Sequence, residues 1–207
     1  KRVLYSIVIL ILVVLFSIYS YFLQKEIGPI STGVYVNEGD TFGGVNITEN
    51  ATYKEGVQTF YSQQGNFSIL MPKVPEINVS ENFNILTGFL FNYLFKADDE
   101  DHRYIASYVD IPKHILKSVN HTDLLDESIN ASLRVSNGTL YLREPLNISI
   151  YPGNEFIIDV QNKSYIVGNV YLVNQRMYII LTSFNYKYYE IDKINAFFDS
   201  FTISSGS

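Results

Sequence analysis

The chain contains no cysteine. That removes disulfides, thiolate nucleophiles, iron–sulfur ligation and Cys-type zinc sites together. A domain of ~150 residues can hold itself together by its apolar core, so the absence assigns no compartment. Histidine is scarce: His102, His114 and His121 are all there is. His114 and His121 stand seven apart across an expected turn, not at the i, i+4 or H-x-H spacing of metal ligands, and read as solvated. There is no G-x-S-x-G, no serine beside a histidine with an orienting acid, and no phosphate-binding glycine loop. The run Asp98, Asp99, Glu100 and Asp101 lacks the spacing and glycine of a calcium loop and reads as a solvated hairpin tip, within a charged turn over Lys96–Arg103. No catalytic, cofactor-binding or metal-binding residue is therefore expected, and no cofactor. A basic cluster is missing too. Residues 24–207 carry 13 Lys+Arg against 21 Asp+Glu, a balance that repels phosphate backbones and disfavours nucleic acid as a partner.

What the chain does have begins at its start. Val3–Leu23 is a run of 21 residues without charge or proline, directly after Lys1 and Arg2. At about 1.5 Å of rise per residue it matches the ~30 Å hydrocarbon core of a bilayer. A cleaved signal peptide would show a shorter apolar core and small residues at the cleavage site, but SIYSYFLQKE offers none. A buried helix of this length would keep a polar stripe. The expected element is an uncleaved transmembrane anchor over residues 1–25. Its N-terminus is cytoplasmic by the positive-inside rule, and Tyr19, Tyr21 and Phe22 lie at the outer interface.

Asparagine supplies the second signal. The chain has 18 Asn, and nine of them open an Asn-x-Ser/Thr sequon: Asn46, Asn50, Asn66, Asn78, Asn120, Asn130, Asn137, Asn147 and Asn162. With Ser plus Thr at about 14% of residues, chance gives roughly 2.5. The expectation is an extracytoplasmic domain bearing N-linked glycans, in accord with the anchor's orientation.

Residues 26–56 hold six of the twelve glycines and few large apolar residues. They read as an extracytoplasmic spacer with one short strand at Gly33–Val36, or as a hairpin packed on the main domain. The globular domain is expected over 57–203, followed by a mobile tail at 204–207. VQTFYS and NFSILMP form a strand pair ended by Pro72 and Pro75. Phe83–Phe95 reads as one long strand, because Phe83, Ile85, Phe89, Phe91, Tyr93 and Phe95 alternate with a period of two. Tyr104–Ile111 returns beside it. A helix follows, with Thr122 as N-cap and Leu125, Ile129 and Leu133 as its stripe. Five strands come next: Thr139–Arg143, Ile148–Tyr151, Glu155–Val160, Tyr165–Val173 and Met177–Thr182. Breaks fall at Pro145, Pro152-Gly153, Asn162-Lys163 and Asn174-Gln175. A helix over Tyr188–Phe201 closes the chain, with Ile191, Ile194, Phe197, Phe198 and Phe201 on one side. Tyr186, Tyr188 and Tyr189 could form a sugar-binding face, but read better as half-buried structural tyrosines. The fold class is α+β, an N-terminal transmembrane helix followed by a sandwich on an antiparallel sheet.

The ordered strings FYSQQGNFSILMPKVPE, HRYIASYVDIP, LLDESINASL, ISIYPGNEFIIDV, VYLVNQRMYII and AFFDSF resemble the PsbP/Mog1-like superfamily. The match runs from about Phe60 to Phe201 and rests on Phe60, Ser62, Gly65, Phe67, Pro72, Tyr108, Asp110, Pro112, Tyr151, Pro152, Gly153, Glu155 and Phe156. Where relatives carry a basic residue after the Gly of the Y-P-G turn, this chain has Asn154. The resemblance implies an α/β/α sandwich and a non-catalytic accessory or binding subunit, not an enzyme. The sequon density, Tyr/Ile/Asn bias and absent Cys also resemble surface proteins of heat- and acid-dwelling archaea. The expected protein is a single-pass membrane glycoprotein whose partners are the bilayer, through Val3–Leu23, and other membrane or envelope subunits, as in a respiratory complex. The alternative is a glycosylated surface filament or lattice subunit with a pilin-like N-terminal helix.

Overall fold

Most of the chain alternates large apolar residues with small or polar ones, and such strands bury one or both faces by pairing side by side. In the computed structural model, residues 41–42, 45–46, 49–54, 57–84 and 88–204 are described. The expected anchor Val3–Leu23, the short strand at Gly33–Val36 and the last three residues of the tail lie outside them. Among the described residues no helix is long and apolar enough to cross a membrane.

The described residues hold thirteen strands: β1 Thr41–Phe42, β2 Val45–Asn46, β3 Glu49–Lys54, β4 Val57–Ser62, β5 Phe67–Met71, β6 Glu76–Asn84, β7 Gly88–Asp98, β8 His102–Asp110, β9 Thr139–Ile148, β10 Tyr151–Val160, β11 Ser164–Val173, β12 Arg176–Asn185 and β13 Thr202–Ile203. Their α-helices are α1 Lys113–Leu116, α2 His121–Ser136 and α3 Ile191–Asp199. Seven strands form one antiparallel sheet in the order β6-β7-β8-β12-β11-β10-β9, and β13-β5-β4-β3 form a second. After β8 the chain crosses one face of the large sheet through α1 and α2, then returns as a meander from the far edge.

Alternation along the strands sorts two cores. Ile105, Val109, Val170, Met177, Ile179 and Leu181 pack with Leu125 and Ile129 of α2. On the opposite face Tyr104, Tyr108, Tyr171, Tyr178 and Ile180 meet Phe60, Phe67, Ile69 and Met71 of the small sheet, with Phe197 and Phe201. The expected α+β class on an antiparallel sheet holds. The layering differs from a helix on each face, because the small sheet shares the second face with α3.

Several boundaries move for identifiable reasons. The strand expected over Phe83–Phe95 is instead a hairpin, β6–β7, in which Asn84 pairs with Gly88 and Phe83 with Phe89. A period of two persists across such a reversal, so alternation alone does not reveal it. Pro145 does not break a strand. It lies inside β9, which is an edge strand and has a side where a missing N–H costs nothing. Pro152 sits in β10 one residue before pairing with β11 begins at Gly153, so it too faces only one neighbour. The actual turn is at Ser149, in the left-handed region at φ 55. The turns expected at Asn162-Lys163 and Asn174-Gln175 are present, with Asn162 at φ 54 and Asn174 at φ 56. The N-cap of α2 is Asn120, not Thr122: the Asn120 side chain accepts from the Thr122 backbone N–H at 3.0 Å. The closing helix is shorter than expected. Its N-terminal end is taken by a 3-10 turn at Tyr186–Tyr188, which Asn185 caps by accepting from Lys187 N–H. Within the stretch read as spacer, Glu49–Lys54 pairs as β3 with β4.

Candidate functional site

Residues of the quoted motifs converge at one corner, and what they build there is a clasp. Gly65 N–H donates to Ser62 Oγ at 2.9 Å, closing the β4–β5 turn, and a Cβ on Gly65 would stand 2.5 Å from that oxygen. Tyr178 Oη donates to Gly65 O at 2.6 Å. Arg176 reaches the same turn through Gln64 O at 2.6 Å while holding Asp110 by two bonds of 2.6 and 2.7 Å. Its guanidinium carbon lies 4.4 Å from the centroid of the Tyr108 ring. Burial would lower the Arg176 pKa, but the Asp110 carboxylate outweighs it and the group is held cationic. Phe67 completes the corner, fully buried between Phe95 at 5.5 Å and Tyr178 at 6.0 Å. The motif tyrosine, glycine, serine and aspartate thus join the two sheets. Arg176, 66 residues from Asp110, was not singled out by its surroundings in sequence.

The charged turn expected over Lys96–Arg103 is largely strand, since β7 runs to Asp98 and β8 begins at His102. Lys96 is buried in β7 and paired with Glu76 at 3.2 Å, and Asp98 holds Arg103 at 3.3 Å. Only Asp99–Asp101 forms the tip. Asp99 Oδ1 accepts from Asp101 N–H and His102 N–H, and Tyr104 Oη donates to Oδ2. Partial burial works against the Asp99 charge, yet these bonds prevail and hold its carboxyl below the ordinary value. Burial, and then Asp99, push the Tyr104 phenol up. His102 is buried at the start of β8 between Tyr104 and Phe184, and neither ring nitrogen has a hydrogen-bond partner. His114 and His121 are exposed, on α1 and at the start of α2. Among the described residues no group of three or more His, Asp or Glu could hold a metal.

The sequons are distributed over the surface. Asn66, Asn78, Asn120, Asn130, Asn137, Asn147 and Asn162 are all exposed. Asn46 and Asn50 fall in β2 and β3. Three buried asparagines, Asn92, Asn154 and Asn169, belong to no sequon. Four of the seven have a backbone reason to be asparagine. Asn66, Asn137 and Asn162 take left-handed φ of 52, 48 and 54, and Asn120 caps α2. None of those roles requires Ser or Thr two residues on. Asn78 and Asn147 sit on β6 and β9, the two edges of the large sheet, and Asn130 lies on the outer face of α2.

Tyr188 and Tyr189, read as half-buried, are 46% and 58% exposed, because they precede α3 in the 3-10 turn and its exit instead of lying in a strand.

No family model matches the chain, and no curated protein matches its sequence. Among solved structures, the chain is similar to the solution structure of cyanobacterial PsbP (CyanoP) from Synechocystis sp. PCC 6803. The likeness has a TM-score of 0.50 and 13% identity, covering 79% of this chain and 98% of that one. At that identity the likeness speaks for architecture alone: the large antiparallel sheet, with α2 on one face and the small sheet and α3 on the other, is a PsbP-like fold.

Proposed function

We propose that the chain is a non-catalytic, single-pass membrane glycoprotein whose extracytoplasmic PsbP-like domain serves as an accessory subunit of a larger membrane complex. The observation that carries the glycoprotein part is the sorting of asparagines. Every sequon asparagine with a described side chain is exposed, while the buried ones, Asn92, Asn154 and Asn169, lie outside sequons. Oligosaccharide attachment needs an accessible side-chain amide, so this is the distribution that attachment would require. The PsbP-like fold supports the accessory role, as the family resemblance implies. The polar side chains at the clasp support it too: Arg176 spends its donors on Asp110 and on the β4–β5 turn, and Tyr178 donates to that same turn.

Glycans at Asn78 and Asn147 would also cover the open edges of the large sheet, where unpaired N–H and C=O groups otherwise invite pairing with another chain. That favours an accessory subunit over a lattice assembled through sheet edges.

Purification from native membranes in mild detergent, with glycopeptide mass spectrometry, tests the reading. Stoichiometric co-purification of other membrane subunits with occupied sequons is the expected result. A monodisperse monomer with bare asparagines would overturn it, and sheared surface filaments containing the chain would put the filament reading in its place.

A further inference from the structure

The β10–β11 turn carries sequon Asn162 beside a strip of aromatic rings. Asn162 N–H donates to Asp159 Oδ1 at 2.9 Å, and the same oxygen accepts from Tyr186 Oη at 2.6 Å. Asn162 and the Tyr186 phenol are therefore two hydrogen bonds apart through one atom. Tyr186 N–H also donates to Lys163 O at 3.4 Å, which ties the 3-10 turn to this hairpin. Tyr186 lies 4.5 Å from Tyr165, and Tyr165 lies 6.4 Å from Tyr141 on the edge strand. Tyr141 is 72% exposed. The strip thus begins at the sequon and runs outward across β11 to β9.

We infer that the first sugar of an Asn162-linked glycan packs on the Tyr186–Tyr165–Tyr141 strip and braces the β10–β11 turn. This rests on the glycoprotein reading above. Attachment would join Asn162 Nδ2 to the anomeric carbon of a sugar carried on a polyprenyl phosphate. The amide loses a proton and the phosphate departs with the lipid. One face of the attached pyranose presents C–H groups of slight positive polarity, which suit the negative face of an aromatic ring. A free sugar would gain little from such contacts, because binding costs it translational and rotational freedom. A sugar tethered two hydrogen bonds away has an effective concentration in the mM range or higher, so weak contacts suffice. The chain reverses at this left-handed turn, and a clamp there restrains opening of the hairpin from its end.

The test uses the full chain, produced in a glycosylating secretory host and held in detergent. The parent is compared with Ser164→Ala, which removes the sequon and keeps Asn162, and Tyr186→Ala and Tyr141→Thr are each made with and without Ser164→Ala. Glycopeptide mass spectrometry reads occupancy, and thermal unfolding reads the effect. The parent should melt about 2–4 °C above Ser164→Ala, and this gap should vanish in the Tyr186→Ala background. Tyr141→Thr, whose exposed ring supports no core, should shrink the gap without destabilising the bare protein. An equal gap in both backgrounds overturns the packing while leaving the glycoprotein reading intact. A bare Asn162 among occupied sequons overturns it at this site, and nine bare asparagines overturn the glycoprotein reading itself.

Discussion

Individual side chains at the corner of the fold do unequal work. Arg176 makes the bidentate pair with Asp110, the bond to Gln64 O and the contact with the Tyr108 ring. A lysine has one ammonium group and no planar fork, so it can serve at most part of that set. Arg176→Ala should cost about 2–3 kcal/mol and Arg176→Lys at least ~1 kcal/mol, measured by urea unfolding. His102 is the opposite case, a polar ring buried between Tyr104 and Phe184 with no hydrogen bond at either nitrogen, its Nδ1 standing 3.6 Å from Asp99 Oδ1. His102→Phe should raise the melting temperature by about 2–4 °C, since removing two unmet hydrogen-bonding nitrogens from the core outweighs losing one 3.6 Å approach to Asp99. Asp99 sets a pH dependence. Its folded pKa lies below the ordinary 3.8, so its contribution is complete above about pH 4 and is lost as pH falls through the lower folded value. The stability gap between the parent and Asp99→Asn should be constant at neutral pH and close below pH 4, read by unfolding from pH 6 to 2.

At the level of elements, α2 is bounded by two sequon asparagines. Asn120 caps its start, and Asn137 ends it in the left-handed region, with its N–H on Leu133 O. Capping and glycosylation can be separated there, because Thr122 contributes its backbone N–H to the cap and its hydroxyl to the sequon. Asn120→Ala should cost about 1 kcal/mol even in unglycosylated protein, whereas Thr122→Ala should abolish any glycan and leave the cap in place. Circular-dichroism melts of protein from a non-glycosylating host read the first, and glycopeptide mapping the second. The β6–β7 hairpin shows the limit of element-level reading. Phe83, Phe89, Phe91, Tyr93 and Phe95 keep one parity throughout, and Phe83 pairs with Phe89 across the reversal. Parity survives a reversal whenever facing residues share it, so the pattern reads as continuous. The prolines misled for a related reason. Pro145 and Pro152 read as breaks, but whether a strand tolerates proline depends on its having a free side, and that is a property of sheet order.

At the scale of all the described residues, one large sheet carries a different cover on each face. Ile129 is fully buried under α2, and Phe67 is fully buried under the small sheet. Phe67→Ala should cost about 3–5 kcal/mol and Ile129→Ala about 2–5 kcal/mol, and both should lower a single unfolding transition, because the two cores share the strands between them. Two transitions in calorimetry would show that the small sheet melts alone. The alternation of Tyr104 to Val109 and of Met177 to Leu181, the stripe of Leu125 and Ile129, and the turns at Asn162 and Asn174 were written in local residue order, since each follows from the periodicity or backbone preference of a short segment. The sequons were legible in the same way. Strand order, the clasp of Arg176 on Asp110 and Gln64, the burial of His102 and the meeting of Asn162 with Tyr186 were not. Those depend on residues brought together from far along the chain, and a short-range pattern holds no record of which distant partner a side chain will face.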